Sequence, residues 1–452
     1  MKTKAMKKNN NSKNYLFTPG PKSLKIFEEE QKYIAPGVQS IALFSKLVME
    51  RGEGCYFIDI DGNRYLDMYA GVGVASLGHG HPDYAKAISE QVSKINTGSF
   101  CSPRRANYCK TLAKYTPKGL NRIQFYSGGA EAVEAAIRLA KSYTKNYEIV
   151  GFWGGFHGKT GTVLGLLDDF KRELGPVMSG VHSVPYAYCY RCPFKMEYPS
   201  CGLYCAEFIR KQLKQESAGE IAAFIIEPIQ GTNGNVVPPP EFLKAVKEIA
   251  KENNALLICD EMICGFGRTG KMFGFEHFDV IPDIMTVGKG IANGFPVAGV
   301  ISNDEIINAK PFANPSGSSS SYGGNPLAGC ACDVTLEVIV RDRLVENSKK
   351  VGEYLLNEFR KLQDKYKFIG DVRGKGLMIG VEMVSDRKSK KPLDKHITRR
   401  LFDECLKRGM ISMCYSSTIR VNPPLIITEK EAETAIRIYD EAFGVIAKEF
   451  NI

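Results

Sequence analysis

Lys289 is the residue whose surroundings most favour chemistry in this sequence. It follows the apolar run of residues 284–287 and stands between Gly288 and Gly290. Burial and nearby cations lower the pKa of a lysine in a cleft, and the neutral amine then forms imines with carbonyl groups. The alternative is a solvated lysine at a strand end, which is the commonest situation of this residue type.

A carboxylate occupies the corresponding position after another apolar run. Asp260 follows the segment LLIC (256–259). A buried carboxylate is costly unless it has a cationic partner, and a protonated pyridine nitrogen is such a partner. A pyridine ring that keeps this proton is the electron sink of pyridoxal phosphate. The alternative is an aspartate that caps the following turn.

A loop of small residues precedes both positions. The strand-like residues 122–126 lead into SGG (127–129), and an alanine-rich helical stretch follows. Free amides at the start of a helix bind anions, and glycines let a phosphate approach the backbone. An ordinary tight turn is the alternative for this motif alone. The order of small-residue loop, strand-end Asp260 and strand-end Lys289 favours one site made of all three.

Two cysteine pairs form a second candidate site. Cys189 and Cys192 are followed by Cys201 and Cys205. Closely spaced thiolates bind zinc or an iron–sulfur cluster, but the gap between these pairs is shorter than the ~15–20 residues of common zinc ribbons. The alternative is an inserted loop whose cysteines pack as small apolar side chains. We expect no metal, and these four cysteines are the candidate ligands if one binds.

The order of the strand-like and helical stretches that must position these residues predicts an α/β protein. From residue 82 to residue 339, apolar strand-like runs alternate with helical stretches. This alternation is typical of a mostly parallel sheet with helices on both faces, whose ligands lie beyond the carboxyl ends of the strands. Because 452 residues exceed one ordinary core, we expect residues 340–452 to form a smaller C-terminal domain. Residues 14–81 are expected to join that domain in space.

Local patterns predict several individual elements. Residues 55–63 are expected to form a β-hairpin around an Asp-Gly turn. Helices are predicted for residues 242–251 and 344–365, and a strand for residues 376–384. Residues 1–13, which are rich in lysine and asparagine, are expected to be a disordered tail.

Composition and charge favour a cytoplasmic enzyme. The net charge is +10, but no arginine-rich or aromatic surface accompanies the basic N-terminus, so we expect no nucleic-acid partner. No apolar run approaches the ~18 residues of a membrane span, and no apolar segment follows the N-terminus as in a secretory signal. We therefore expect no membrane partner. The thirteen cysteines are best explained as small side chains in a reducing compartment.

Four segments together resemble the class III pyridoxal-phosphate aminotransferases. They are DEMICGFGRTG (260–270), TVGKG (286–290), LGHGHP (77–82) and SYGGNP (321–326). The resemblance covers nearly the whole chain, from about residue 37 to residue 428. It implies the type I fold of pyridoxal-phosphate enzymes, with a large domain whose mostly parallel sheet is sandwiched by helices and a smaller α+β domain. It also implies pyridoxal 5'-phosphate as the cofactor.

The resemblance assigns roles to individual positions. Lys289 holds the cofactor as a Schiff base and moves the proton of the reaction, and Asp260 pairs with the pyridinium. Arg420 binds a substrate carboxylate, a task that suits a fork-shaped guanidinium. Ser321 reaches the phosphate of the neighbouring subunit, which implies a homodimer with an active site shared across the interface. The other implied cofactor contacts are the amides of Gly129 and Ala130, the ring-stacking Phe156 and Met262, and His157, Glu227 and Ile263.

Departures from the family pattern bear on the substrate. Thr232 stands where the 4-aminobutyrate and ornithine branches carry a glutamate that neutralises the substrate-binding arginine. Ile263 replaces a glutamine that often contacts the cofactor. Together with DVRGKGLM (371–378), these changes resemble the alanine–glyoxylate branch, which uses pyruvate.

We expect a ping-pong aminotransferase. Its amino donor would be alanine, 4-aminobutyrate or another omega-amino acid, and its acceptor pyruvate, glyoxylate or 2-oxoglutarate. One alternative is a racemase, epimerase or amine phospho-lyase of the same fold, because the same lysine takes the same proton in those reactions. The other is a non-enzymatic cofactor-binding module.

Overall fold

The computed structural model of the chain describes residue 16 and residues 18–98, 100–167 and 170–452. The tail predicted at residues 1–13 lies outside the described residues. The strands are β1 (Met49–Glu53), β2 (Tyr56–Asp59), β3 (Arg64–Asp67), β4 (Arg122–Tyr126), β5 (Glu148–Phe152), β6 (Val181–Val184), β7 (Ile221–Ile226), β8 (Leu256–Asp260), β9 (Ile284–Val287), β10 (Ala298–Ser302), β11 (Ile369–Lys375), β12 (Met378–Asp386), β13 (Lys391–Pro392), β14 (Met410–Ile411) and β15 (Thr418–Val421).

Helices precede, separate and follow these strands. They are α1 (Pro21–Glu30), α2 (Ser40–Ser45), α3 (Ala70–Gly73), α4 (Pro82–Val92), α5 (Pro103–Leu112), α6 (Gly129–Thr144), α7 (Gly161–Leu164), α8 (Phe170–Glu173), α9 (Tyr204–Glu216), α10 (Phe242–Glu252), α11 (Asp304–Ile307), α12 (Pro326–Arg341), α13 (Leu344–Lys365), α14 (Lys395–Lys407) and α15 (Glu429–Phe450). Short 3-10 turns occupy Cys189–Arg191, Gly274–His277 and Lys289–Ala292.

The central sheet has seven strands in the order β4-β10-β9-β8-β7-β5-β6. Neighbouring strands are parallel from β6 to β9, whereas β10 is antiparallel to both β9 and β4. Every residue of β7, β8 and β9 is buried, as expected for parallel strands covered on both faces. The predicted α/β class with a mostly parallel sheet is confirmed.

Helices cover both faces of this sheet. Ala223 and Ile225 of β7 pack in one apolar cluster with the buried residues of α6, whereas Phe224 and Ile226 pack in the other cluster with Phe242 of α10. Side chains alternate between the faces along a strand. The two clusters therefore lie on opposite faces, and the sheet between them is buried on both sides.

The strand ends bring Asp260 and Lys289 to one edge of the sheet. Asp260 is the last residue of β8, and Lys289 follows the last residue of β9 by two positions. These strands are parallel neighbours, and Asp260 is in register with Thr286 of β9. The carboxyl ends of parallel strands meet at the same edge, and ligands bind there. We therefore expect the active site at this edge.

Two smaller sheets contain the remaining strands. Strands β11, β12 and β13 are antiparallel, with β15 paired to β12. In the N-terminal sheet, β14 lies parallel to β3, where Met410 pairs with Leu66 and Ile411 with Asp67. A strand from the predicted C-terminal domain thus completes a sheet from the N-terminal segment, which is the kind of contact expected for a segment that joins that domain.

The predicted local elements agree with the structure. The hairpin expected at residues 55–63 is formed by β2 and β3, and the predicted helices correspond to α10 and α13. The strand expected at residues 376–384 is β12, which begins two residues later and runs two residues further. None of the described helices is both long and apolar enough to cross a bilayer.

We predict that Gly352 tolerates no side chain. A Cβ on this residue of α13 would collide with the backbone of Gly376, which cannot move like a flexible side chain. Gly352→Ala should therefore destabilise the protein by about 1–3 kcal/mol. The matched control is Gly444→Ala in α15, where the nearest atom to the new Cβ is the Tyr366 hydroxyl at 3.4 Å and the change should be neutral or stabilise by about 0.5–1 kcal/mol. Thermal unfolding followed by circular dichroism measures both, and equal shifts would contradict this packing.

Candidate active site

Lys289 is held in a conformation that lysine rarely adopts. Its φ is 45°, in the left-handed region that costs a non-glycine residue about 1–3 kcal/mol. Burial lowers the pKa of its ammonium below the ordinary 10.5, although the charges of Asp260 and Glu227 act to raise it. The amine is thus more readily neutral than that of a surface lysine, which nucleophilic attack on a carbonyl requires.

Asp260 and His157 form a buried pair beside this lysine. The Nδ1 atom of His157 lies 2.7 Å from Oδ2 of Asp260, and Oδ1 accepts a hydrogen bond of 3.1 Å from the Met262 amide. Burial alone would lower the pKa of His157, but the hydrogen bond and charge of Asp260 outweigh it, so the pKa is raised. The carboxylate is therefore fixed in orientation and faces a site with a cationic side chain nearby.

Glu227 connects two loops at the same edge. Its Oε1 accepts a hydrogen bond of 2.9 Å from the Phe156 amide, and its Oε2 accepts one of 2.9 Å from the Gly231 amide. Burial raises the pKa of this carboxyl, while the charge of His157 lowers it. Glu227 thereby positions the backbone of half-buried Phe156, which is predicted to stack on a cofactor ring.

The loop before α6 leaves two amides free. Glu131 accepts hydrogen bonds of 3.0 Å from the Ser127 amide and 2.8 Å from the Gly128 amide. Within the described ranges, no partner is found for the amides of Gly129 and Ala130. They begin a helix of sixteen residues, whose dipole favours an anion at this end. These are the two amides predicted to bind a phosphate.

Glycines create the space around the predicted cofactor position. A Cβ on Gly288 would lie 2.5 Å from the sulfur of Met262, and a Cβ on Gly129 would lie 3.2 Å from it. Met262 therefore lies between the lysine strand and the phosphate loop, where a ring-stacking residue is expected. Ile263, by contrast, is buried against Gly73 and Gly231.

These observations fit pyridoxal 5'-phosphate. The free amides of Gly129 and Ala130 suit a phosphate, Met262 and Phe156 suit the ring, and Lys289 suits an aldehyde. The side-chain hydroxyl of Thr286 is buried without a hydrogen-bond partner among the described residues, so one further polar group stands unused at this strand end. The individual roles of these residues stay predictions.

Arg420 lies on β15 and offers an unpaired guanidinium. Its backbone pairs with Gly380 of β12, but no hydrogen bond or ion pair of its side chain is found in the described part of the chain. Burial lowers its pKa, and the nearby Tyr415 and Glu227 act in the opposite direction. A partly buried cation without a protein partner is suited to bind a carboxylate from a substrate.

Ser321 lies in the loop that precedes α12. It is exposed and lines a cavity of about 590 Å³ with Tyr126, Glu131, Thr160 and Tyr322. No hydrogen bond joins it to Asp260 or Lys289 within the described ranges. A role in the site of a second subunit requires this kind of exposure.

The four cysteines of the second candidate site lie together. Cys189, Cys192, Cys201 and Cys205 line one cavity of about 20 Å³. As they stand, no three His, Cys, Asp or Glu side chains among the described residues form a group that could hold a metal ion. All four are free thiols.

Two participants are missed by reasoning from the sequence alone. Glu131 orders the phosphate loop by its bonds to the Ser127 and Gly128 amides. Its position three residues after Gly128 is the spacing of a capping box, so a local signal for it exists. Tyr415 lies close to Arg420, since Met413 forms an antiparallel bridge with Arg420, and no motif in the sequence marks it.

The comparisons with known proteins agree with this geometry. Residues 37–443 match the family model described as aminotransferase class-III. The chain belongs to the class III aminotransferase family. Enzymes of this family use pyridoxal 5'-phosphate, and the predicted type I fold is confirmed by solved transaminases.

Three relatives illustrate the range of this family. The mitochondrial alanine–glyoxylate aminotransferase 2 of Pongo abelii is 35% identical over 92% of this chain and 86% of its own. The alanine/serine racemase of Pyrococcus horikoshii is 35% identical over 94% and 91%. The crystal structure of an amine transaminase from an uncultivated Pseudomonas species, with pyridoxal phosphate bound, has a TM-score of 0.85 at 30% identity and covers 92% of this chain and 98% of that chain.

We predict that Lys289 is indispensable. Lys289→Ala should lower turnover by ~10²- to 10⁴-fold, the contribution of a positioned general acid–base group, and should abolish the visible absorbance of a lysine-bound cofactor. The matched control is Lys247→Arg. Lys247 lies on α10 and pairs with Asp283 at 2.5 Å, at the amino end of β9, so activity and absorbance should persist. An active Lys289→Ala variant would refute the assignment.

Proposed function

We propose that this class III aminotransferase transfers an amino group from an amino acid to a 2-oxo acid in two half-reactions. The observation that carries the proposal is the convergence of Lys289, Asp260 and His157 at the carboxyl ends of β8 and β9. Arg420 supplies the second element, a cation for the carboxylate of the substrate.

Each residue has a defined task in this proposal. The bound cofactor supplies an electron sink for bonds at the substrate Cα. Lys289 takes and returns the proton at that carbon, and its lowered pKa leaves its amine more readily unprotonated than that of a surface lysine. Asp260, oriented by His157, holds the proton on the pyridine nitrogen. The free amides at the start of α6 orient the phosphate.

The substrate preference rests on the surroundings of Arg420. Thr232 is exposed and has no carboxylate with which to neutralise the arginine. Glu227 acts on Arg420 only through its charge, because its two oxygens bond the Phe156 and Gly231 amides. We therefore favour a permanently available arginine that binds the α-carboxylate of both donor and acceptor, as alanine with pyruvate or glyoxylate requires.

A half-reaction screen tests this proposal. Alanine, 4-aminobutyrate, ornithine, taurine and β-alanine are added singly to purified enzyme without a 2-oxo acid, and the visible spectrum of the bound cofactor is followed. We expect alanine to change the spectrum and pyruvate or glyoxylate to reverse it. Arg420→Gln should weaken the binding of the 2-oxo acid by about 10- to 150-fold, since hydrogen bonds to charged groups contribute about 1.5–3 kcal/mol. A spectrum that no donor changes would overturn the transaminase proposal.

Racemisation is the second candidate, because an alanine/serine racemase is as similar to this chain as the aminotransferase is. Both reactions begin with removal of the Cα proton by the same lysine. An assay on the same protein preparation distinguishes racemisation from transamination. A racemase converts L-alanine into D-alanine without consuming a 2-oxo acid, as chiral chromatography would show.

We also propose a homodimer that shares its active sites. Exposed apolar side chains support it, among them Phe100 (80% exposed), Tyr322 (67%) and Ile95 (53%). Ser321 lies next to Tyr322 and is exposed in the single chain. A second subunit would cover these side chains and receive the Ser321 hydroxyl at its phosphate.

Subunit mixing tests the shared site. The particle should have twice the 50.0 kDa mass of the chain in light scattering. Ser321→Ala should weaken cofactor binding by about 10-fold or more, whereas Ser319→Ala, two residues away, should not. In a hybrid of Ser321→Ala and Lys289→Ala chains, one site regains intact Lys289 and Ser321 only if they come from different subunits. A hybrid without restored activity would contradict sharing.

A cytoplasmic location is proposed as well. It is supported by the thirteen cysteines, all free thiols, because extracellular compartments favour disulfides. Fractionation of the native cells with an antibody against the enzyme tests it, and recovery from an organelle or the medium would refute it.

A further inference from the structure

The segment from Cys189 to Cys205 has no task in the proposed reaction. It nevertheless folds into a defined unit. Cys189 begins a 3-10 turn, the Lys195 amide donates to the Cys192 carbonyl at 3.1 Å, and the Tyr204 amide donates to the Cys201 carbonyl at 3.1 Å. Both cysteine pairs are thus placed by tight turns, and Cys205 follows as the second residue of α9.

The chemistry of the enclosed cavity is that of sulfur. Its lining residues include all four cysteines and otherwise only Tyr, Ala, Pro, Phe, Met and Leu. Among the described residues, no carboxylate or histidine lines it, and the Tyr198 hydroxyl is engaged by Glu241 at 2.9 Å. Hard cations prefer oxygen ligands, whereas zinc and other thiophilic ions prefer thiolates. The lining therefore selects a thiophilic ion.

The size of the cavity favours a single ion. Its volume is about 20 Å³, which is about the space of one water molecule and less than a four-iron cluster occupies. The aromatic ring of Phe194 shields one side, with ring centroids 5.1 Å from Tyr204 and 5.0 Å from Phe208. Cys189 remains exposed, which gives an ion a path from solvent.

Burial affects the ionisation of these thiols. It raises the pKa of both Cys189 and Cys205 to about 11, and ionisation of a neighbouring cysteine acts in the same direction. A hydrogen bond from the Ala206 amide acts in the opposite direction on Cys205. Thiols with raised pKa values stay protonated near neutral pH, but a bound cation reverses this preference and deprotonates a coordinating thiol.

We propose that Cys189, Cys192, Cys201 and Cys205 bind one zinc ion in tetrahedral thiolate geometry. Each thiol gives its proton to solvent, so four protons leave for each ion bound. Zinc–sulfur bonds of about 2.3 Å require the sulfurs to move inward from the positions they have here, where they do not yet form a metal-binding group. The proposal does not depend on the reaction that the enzyme catalyses.

The ion would stabilise the fold of residues 189–205, next to side chains that contact the C-terminal sheet. Tyr188 and Arg191, which flank Cys189, both bond Glu382 of β12. Arg373 bonds the same carboxylate at 2.8 Å and donates to the Gly234 carbonyl at 2.9 Å. A zinc site at Cys189 would thereby stabilise the contact between the cysteine segment and the loop that follows Glu227.

Metal analysis of the untagged, dialysed holoenzyme tests the proposal. We expect about one zinc per chain by mass spectrometry of the metals. Cys189→Ser and Cys205→Ser should each lose it, whereas Cys101→Ser, an exposed cysteine outside the cavity, should retain it. Cofactor absorbance and thermal unfolding show whether each variant is folded. Titration of chelator-treated protein with Co²⁺ alone should produce the intense visible bands of a tetrahedral thiolate site, absent in Cys189→Ser.

Four results would overturn the proposal. Zinc that stays equal in all variants would show adventitious binding elsewhere. A protein without metal whose four thiols react with a thiol reagent would show a packed loop. Disulfides within the segment, detected by mass spectrometry of unreduced peptides, would show a redox pair. A brown protein with bound iron and sulfide would show a cluster instead of a single ion.

Discussion

The negative charge of Asp260 is the constraint on which the site depends. It stands at the end of a strand whose residues are all buried, where an uncompensated charge would cost several kcal/mol. His157 and the Met262 amide compensate it within the chain. His157 in turn lies in a loop whose backbone is fixed by Glu227 through the Phe156 amide. The carboxylate of Asp260 thus orders both the loop of His157 and the loop of Met262.

The same low-polarity environment explains the behaviour of Lys289. Burial lowers its pKa, and the carboxylates of Asp260 and Glu227 limit that shift. The left-handed backbone of Lys289 lets the chain leave β9 in a sharp turn. The absence of a side chain at Gly288 leaves room for the sulfur of Met262. The site therefore combines local strain with a rigid sheet, which is the usual way that a fold maintains a conformation it would not otherwise adopt.

Arg420 enters from a different sheet. It is brought to the site by the pairing of β15 with β12, and the loop after Glu227 contacts the same strand, where Asn235 bonds the Ile379 carbonyl at 2.8 Å. The large sheet thus supplies the reacting groups and the C-terminal sheet supplies the cation for the substrate. Substrate recognition is consequently sensitive to how the two sheets pack, and the cysteine segment that contacts Glu382 lies at the same boundary.

Local sequence determined much of this protein. Short-range patterns predicted the strand-end positions of Asp260 and Lys289 and the free amides before α6. They also predicted helices α10 and α13 and the hairpin of β2 and β3, because strand burial and turn chemistry are local properties. The pairing of β14 with β3 and the approach of Arg420 to the charge of Glu227 were decided only by the tertiary structure. These contacts join residues far apart in the chain, and no local periodicity or spacing records which distant segments will meet.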